Sequence, residues 1–261
     1  MTRCPRSVAV MMAAALVLTG CGRNGGDDFP PSPVDSSRVS GMPTTSLVPG
    51  QEVDVANLFK TVDAATNKMR SYVEVDVTDL AMGTQTVQGK QSYVVDQNDR
   101  ANGKLRLSLD NSTEVIGIGS TYYLKTATSN GKYSKTTADA LTAQGIDLPD
   151  LTQSSNSDQL VAYIKEGSFV GTETAAGVTG RHYRLKVDPK FWSEVSGLPL
   201  DDATIAAAQP GDLDMWTNSD DVLVQLIAKL DIGGIKGSVT QTVTEVNKPV
   251  SIQAPSADQV A

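Results

Sequence analysis

The sequence predicts an α+β domain built on one curved antiparallel sheet, a half-barrel of about ten strands that carries helices on its concave side. Three observations lead to this prediction. One segment has the 3.6-residue period of an amphipathic helix, about ten segments have the two-residue period of half-buried strands, and short turns separate most of those strands. One helix, a run of strands, a helical insert and more strands indicate an α+β domain rather than alternating βαβ units.

The clearest helix runs from Asp54 to Met69. Its apolar side chains recur at helical spacing with polar residues on the other side, so one face must be covered by a sheet or by another helix. Asp54 is a suitable N-cap residue for this helix. The apolar set comprises Val55, Leu58, Phe59, Val62, Ala64, Ala65 and Met69.

Ten further segments alternate apolar and polar residues and are predicted to be strands. They span residues 72–78, 84–95, 104–109, 113–118, 121–126, 168–174, 181–187, 213–217, 222–231 and 237–246. In three of them the apolar residues are expected to face inward and are the candidates for lining an apolar cavity: Val73, Val75, Val77, Leu105, Leu107, Leu109, Tyr183, Leu185 and Val187. Gly119 and Ser120 provide a two-residue hairpin signal between two of the strands.

Strands with one apolar face could close into a barrel, stack as a sandwich, or curl partway around helices. The first helix and three short helical segments, at residues 137–144, 157–164 and 201–208, favour the partly curled sheet. Such a sheet either packs solid or leaves a cleft lined with aliphatic side chains. For any single inward residue a filled core is the simpler explanation, whereas a slot for acyl chains is a collective property of the face.

The N-terminus has the features of a lipoprotein signal peptide. Arg3 and Arg6 precede a short apolar run that ends in the sequence LTGC at Cys21. This order of charged, apolar and small residues is that of a secretory signal peptide, and its last four residues match the lipobox of bacterial prolipoproteins. An ordinary cleaved signal and an uncleaved anchor are the alternatives, although the apolar run falls short of the ~20 residues of a spanning helix.

The lipobox match implies that Cys21 receives a diacylglyceryl group and that the chain is cut before it. Two or more acyl chains on one residue give lasting membrane attachment. The predicted organisation is therefore a signal peptide at residues 1–20 and a disordered tether at residues 21–50, rich in Gly, Pro, Ser and Asp. A folded domain follows at residues 51–255, with a C-terminal tail at residues 256–261.

Charge and cysteine content narrow the classes of function. The chain has 22 basic and 30 acidic residues, and loss of the two signal-peptide arginines leaves a net charge of about −10. So acidic a protein is a poor candidate for binding nucleic acid through bulk charge. Of its two cysteines, Cys4 leaves with the signal peptide and Cys21 is the acylation site. The exported domain must then be stable without a disulfide.

No catalytic or metal-binding pattern is visible in the sequence. The single histidine, His182, is next to Tyr183 on a strand, and Tyr183 is expected to face inward. The side chain of His182 should therefore point outward into solvent, and a catalytic role is not expected. Zinc sites usually draw several ligands from Cys and His. Asp214, Asn218 and Asp220 do not follow the EF-hand pattern, and residues 218–221 are better explained as a hairpin turn. The prediction is no metal, no cofactor and no enzymatic activity.

Several motifs occur in an order that is typical of one family of lipoproteins. The lipobox at Cys21, the tether and the amphipathic helix are followed by the segment SYVEVDV at residues 71–77. Further on come Gly171-Thr172, then GRHYRL at 180–185, DMWTNS at 214–219, LVQL at 223–226 and KPVSIQAP at 248–255. With these features the chain resembles the LppX/LprG-type lipoproteins of actinobacteria, whose fold is similar to that of the periplasmic lipoprotein carrier LolA.

The resemblance implies a function and a location. Members of this family hold acylated lipids or glycolipids in an apolar cavity and are implicated in moving them outward across the cell envelope. The implied protein is attached to the outer face of the plasma membrane through Cys21, with a lipid or glycolipid as ligand and an envelope transporter as partner. Residues 152–157 are a candidate mobile rim. A structural lipoprotein with a packed core that docks another envelope protein is the main alternative, and an envelope hydrolase is a third.

Overall fold

The computed structural model describes residues 47–110, 112–146, 148–149, 151, 157–194, 198 and 200–261. The signal peptide, Cys21 and the tether up to residue 46 lie outside the described residues, as do residues 152–156 of the candidate rim. The predictions for these segments remain predictions.

One antiparallel sheet of eleven strands organises the described part of the chain. The strands are β1 Ser71–Met82, β2 Gln85–Asp96, β3 Lys104–Leu109, β4 Thr113–Ile118, β5 Thr121–Lys125, β6 Ser134–Thr136, β7 Ile164–Ala175, β8 Val178–Val187, β9 Gly211–Thr217, β10 Leu223–Ile232 and β11 Ile235–Thr244. Their order across the sheet is β6-β5-β4-β3-β2-β1-β11-β10-β9-β8-β7, so the sheet has two edges and is not closed into a barrel. The predicted fold class is confirmed.

Five helices accompany the sheet in the described residues. They are α1 Val55–Thr66, α2 Ala138–Thr142, α3 Asp158–Val161, α4 Lys190–Glu194 and α5 Asp202–Ala207. Helix α1 begins where the sequence predicts, because the Asp54 side chain accepts a hydrogen bond of 3.0 Å from the backbone N–H of Asn57. Its apolar stripe packs against one face of the sheet, which we call the inner face, and the opposite side is the outer face.

Tight turns set the register between neighbouring strands. Gly119 and Ser120 join β4 to β5 as predicted, with Gly119 at a φ of +56°. Between β9 and β10, the Asn218 side-chain oxygen accepts hydrogen bonds from the backbone N–H groups of Asp220 and Val222 at 2.9 and 3.0 Å. The predicted turn at residues 218–221 is therefore confirmed, and the side-chain oxygen of Asn218 is bonded to backbone N–H groups of the turn.

The inner face carries two separate apolar clusters. The first cluster lies on β7–β11 and the end of β1, and includes Leu58, Phe59 and Val62 of α1 together with Leu80, Phe169, Tyr183, Leu185, Val187, Leu213, Met215, Leu226, Leu230 and Ile232. The second cluster lies towards β2–β5 and includes Ala65, Met69, Tyr72, Tyr93, Val95, Leu105, Leu107, Val115, Leu124 and Leu141. Helix α1 contributes residues to both, so it crosses the inner face from the first cluster to the second.

A smaller apolar cluster on the outer face involves the C-terminus. Ile252 packs there with Ile116 and Tyr133. The backbone of Ala261 donates a hydrogen bond of 2.8 Å to the carbonyl of Tyr133, and residues Ala257–Gln259 form a 3₁₀ turn. The last residues of the chain therefore lie against the sheet beside β6.

Candidate functional site

A band of polar side chains separates the two apolar clusters on the inner face. Along β1 the inner-face residues run from Tyr72 in the second cluster, through Glu74, Asp76 and Thr78, to Leu80 in the first cluster. Asp76 stands directly opposite Gln91 of β2 and Gln241 of β11. We call the five residues Glu74, Asp76, Thr78, Gln91 and Gln241 the polar band. All five are buried, and Asp76 is only 1% exposed.

Hydrogen bonds within the polar band are incomplete. The Gln91 side chain donates from Nε2 to Asp76 Oδ2 at 2.9 Å. The other carboxyl oxygen, Asp76 Oδ1, has no hydrogen-bond partner among the described residues, and the same is true of Glu74 Oε1 and Gln241 Oε1. Buried polar atoms are almost always hydrogen-bonded in native proteins, so three unpaired oxygens on adjacent strands indicate a place where a ligand or water supplies the partners.

Burial changes the acidity of both carboxyl groups. Burial and the neighbouring charge of Asp76 raise the pKa of Glu74 well above its usual value, and a hydrogen bond with Gln241 offsets only part of this. Burial raises the pKa of Asp76 to about 7, against the lowering effect of Gln91. Two carboxyl groups in a site of low dielectric, without a cationic partner, favour their protonated forms.

Helix α1 contributes residues to the apolar clusters on both sides of the polar band. Its residues Leu58, Phe59 and Val62 belong to the first cluster and Ala65 belongs to the second, so the helix passes over the region between them. The next residue, Thr66, has a buried hydroxyl oxygen that also has no hydrogen-bond partner among the described residues. The inner face therefore has apolar side chains at both ends and polar atoms in the middle.

A groove of about 650 Å³ opens beside the first cluster. It is lined by α5 residues such as Ala207 and by Pro210, Lys229, Leu230 and Ile232. Leu230 and Ile232 are inner-face members of the first cluster. The groove thus connects apolar inner-face side chains with the surface of the molecule.

Six of the nine predicted cavity residues lie on the inner face. Leu105 and Leu107 are buried in the second cluster, and Leu109 packs against it. Tyr183, Leu185 and Val187 are buried in the first cluster. The structure therefore does not bring the six together at one point but divides them between the two apolar ends of the same face.

The inward orientation predicted for Val73, Val75 and Val77 is wrong. These valines lie on the outer face, and Val77 is 42% exposed. The alternation of valine with Glu74 and Asp76 suggested that the acids face solvent. The two ends of β1 determine which of its faces is buried. Large apolar side chains at even-numbered positions enter the two clusters there, so the acids, which are also at even-numbered positions, face inward.

The residues of the polar band were not recognised in the sequence. The signal that could have found them is the run of even positions along β1, which begins with Tyr72 and ends with Leu80. A strand of twelve residues with a large apolar residue at both ends of one face indicates which face is buried, whatever lies between. The valine stripe, shorter and without aromatic residues, pointed the other way.

His182 lies on the outer face as predicted, but the expectation that it is solvated is wrong. It is 4% exposed and stacks on Trp216 with a ring distance of 4.1 Å. Its Nε2 lies 3.0 Å from Asp214 Oδ1, and its Nδ1 lies 3.0 Å from Glu173 Oε2. A flat ring fits under the tryptophan because both side chains project from neighbouring strands at directly opposed positions.

Asp214 is the centre of this outer-face network. Arg184 Nε donates to its Oδ1 at 2.9 Å, and Lys229 Nζ donates to its Oδ2 at 2.9 Å. Burial opposes ionisation of Asp214, but the hydrogen bonds from Lys229, Arg184 and His182 outweigh it and hold the pKa below its usual range. We call Glu173, His182, Arg184, Asp214 and Lys229 the outer network.

Comparisons with known proteins support the fold. No protein-family model and no curated protein matches the sequence. The crystal structure of LprF from Mycobacterium bovis is similar, with 17% identity and a TM-score of 0.50 over 78% of this chain and 97% of LprF. The Mycobacterium tuberculosis lipoprotein LppX has 13% identity and a TM-score of 0.48 over 76% of this chain and 98% of LppX.

The chain shares its fold with LprF. The resemblance to LppX/LprG-type lipoproteins that the sequence motifs indicate is confirmed at the level of the fold, which is what similarity at this identity shows. In the described part of the chain, no helix is both long enough and apolar enough to cross a membrane.

Proposed function

We propose that the chain is an envelope lipoprotein that binds the acyl chains of a lipid or glycolipid between helix α1 and the inner face of the sheet. Acyl chains on Cys21 attach it to the outer face of the plasma membrane, and it carries its ligand outward across the envelope. Binding and release account for this role without a catalytic step. The lipobox sequence and the fold shared with LprF support the proposal.

The observation that carries this proposal is the division of the inner face. A core that serves stability alone is normally one continuous apolar cluster whose buried polar atoms are paired. Here one helix contributes to two apolar clusters, and these are separated by carboxyl and amide oxygens that have no hydrogen-bond partner among the described residues. An amphiphilic ligand would place apolar surface against the clusters and polar atoms against the band.

The driving force for binding is removal of acyl chains from water, about 0.8 kcal/mol for each buried CH₂ group. The groove beside Leu230 and Ile232 is a route by which a chain could reach the first cluster. Since apolar contacts are not directional, chains of different length would be accepted.

The proposal is tested by extracting lipid from the purified protein. The chain with Cys21→Ser, which removes the anchor, is produced by an exporting bacterium, extracted with organic solvent and examined by mass spectrometry. We expect about one lipid per chain. In Leu109→Trp the larger side chain fills space beside the second cluster, so bound lipid should fall at least fivefold.

Val77→Trp is the matched control, because Val77 is on the outer face of the same sheet. It should retain the lipid of the parent chain, and circular dichroism should show both variants folded. Absence of lipid from the parent chain would argue against lipid binding and for the structural lipoprotein that docks another envelope protein. Equal lipid loss in both tryptophan variants would show that the inner face is not the site.

A further inference from the structure

We propose that the polar band binds a hydroxyl group of the ligand, so that the ligand is a neutral lipid with a hydroxyl-bearing segment between apolar parts. The inference rests on the proposed function and specifies its ligand. It places the polar segment deep under α1 rather than at the surface of the molecule.

Strand pairing brings the unpaired oxygens within reach of one small group. Asp76 and Gln241 are directly opposed on adjacent strands, where side chains stand about 5 Å apart. Glu74 is the next inner-face residue along β1, about 7 Å away at the usual rise of a strand. A glycerol unit or one sugar ring spans these distances.

The chemistry of the unpaired atoms favours a hydroxyl group. Gln241 Oε1 can only accept a hydrogen bond, and an ionised carboxylate likewise only accepts. A protonated carboxyl group also donates, and burial raises the pKa of Glu74 well above its usual value. A hydroxyl group both donates and accepts, so it can satisfy an amide oxygen and a carboxyl group at once.

Charge excludes the other common polar groups of lipids. The inner-face neighbours of the band on β1, β2 and β11 include Tyr72, Tyr93, Val239 and Val243, and none of them is cationic. A phosphate would meet two carboxyl groups without a lysine or arginine to balance it. Within the described residues, no group of three or more His, Cys, Asp or Glu side chains is placed to hold a metal ion. An ammonium group only donates, and could not accept the proton of Glu74.

The position of the band determines where the hydroxyl group lies along the ligand. The first and second clusters flank the band on either side, and α1 reaches from one to the other. A ligand with a polar end and a single apolar tail would fill one cluster and leave the other without a partner. A lipid with apolar parts on both sides of its hydroxyl segment fills both.

The test compares a lipid that has one free hydroxyl group with the same lipid in which that hydroxyl group is acetylated. Purified full chain is loaded with the fluorescent fatty acid cis-parinaric acid, which is then displaced by dioleoylglycerol or by 1,2-dioleoyl-3-acetylglycerol in mixed micelles. The acetyl ester has the same chains but no free hydroxyl. We expect dioleoylglycerol to displace the probe at a concentration about tenfold lower.

Two variants locate the effect. Gln241→Leu removes an acceptor of the polar band and should reduce the tenfold preference to less than about twofold. Thr240→Val is the control, since Thr240 is the adjacent residue of β11 and lies on the outer face. It should keep the preference. Thermal melts show whether both variants are folded.

The outcomes separate the two proposals. If the parent chain bound neither cis-parinaric acid nor either of the two glycerides, both the proposed function and this inference would be overturned. Equal displacement by the two glycerides would overturn the hydroxyl site and leave acyl binding intact. An unchanged preference in Gln241→Leu, or stronger displacement by a dioleoyl lipid with an ammonium head group, would also contradict the assignment.

Discussion

On the outer face of the sheet Asp214 is buried among His182, Arg184 and Lys229, whereas on the inner face Asp76 is buried beside Glu74 and two glutamines. Both aspartates are almost fully buried. The outer network supplies the carboxylate with three nitrogen donors and lowers its pKa. The polar band supplies one amide donor, and burial raises the pKa.

The difference separates two uses of a buried acid. A carboxylate surrounded by cations and hydrogen-bond donors has its desolvation offset within the protein, and loss of one partner would leave a charge buried without compensation. An acid pair without cations is held in an unfavourable environment by the packing around it. Unfavourable burial of polar groups in this way is typical of binding sites, where the ligand rather than the protein completes the hydrogen bonds.

The largest expected effect tests which face holds the core. Leu185→Ala removes a fully buried side chain of the first cluster and should lower the free energy of unfolding by about 3 to 5 kcal/mol. Val77→Ala, on the outer face, should cost less than about 1 kcal/mol. Urea denaturation measures both. Comparable losses in the two variants would contradict the assignment of inner and outer faces.

A second prediction concerns the pH dependence that the polar band imposes. Burial raises the pKa of Asp76 to about 7 in the folded protein, against about 4 when the chain is unfolded. The contribution of Asp76 to stability is therefore fully present below about pH 4 and is lost as pH rises through 7. Asp76→Asn cannot ionise, so it should exceed the parent chain in stability by about 2 to 4 kcal/mol at pH 8.5.

Urea denaturation at several pH values checks this prediction. The gain in Asp76→Asn should shrink towards zero as pH falls below 4, where the parent aspartate is protonated in both states. A stability loss in this variant at pH 8.5 would mean that Asp76 is stabilised as a carboxylate, which would remove the contrast with Asp214.

Much of the fold follows from the sequence because local patterns and tertiary packing agree. The helix at residues 54–69, the turn at Gly119 and most strands depend on periodicity and turn residues within a few positions. Strand β6, with three residues, is too short to show a period, and helix α4 at Lys190–Glu194 is a single turn. Neither could be predicted from periodicity.

The candidate site could be predicted only in part. The leucines of β3 and the residues of β8 were identified because their apolar alternation coincides with burial. The polar band breaks that rule, since it buries acids and exposes valines on the same strand. Which of two alternating faces is buried depends on neighbouring strands and on α1, and these contacts are distant in sequence. His182 shows the same limit, because Trp216 and Glu173 cover it from other strands.

The smallest expected effect tests the outer network directly. Asp214→Asn keeps the size of the side chain but removes the charge that holds Arg184, Lys229 and His182, so the free energy of unfolding at pH 7 should fall by about 1 to 3 kcal/mol. Asp212→Asn is the matched control two residues away. Its pair with Lys186 has side chains that are 39% and 42% exposed, and such exposed pairs contribute less than about 1 kcal/mol.

The pH dependence of this third effect has the opposite sign to that of Asp76. Because the pKa of Asp214 is lowered on folding, its stabilisation is present above pH 4 and is lost as pH falls through the lowered value. The difference between parent chain and Asp214→Asn should therefore be constant from pH 8 to pH 5 and decrease only in stronger acid. If Asp214→Asn and Asp76→Asn instead changed stability in the same direction at neutral pH, the two faces would not differ in how they hold a buried acid.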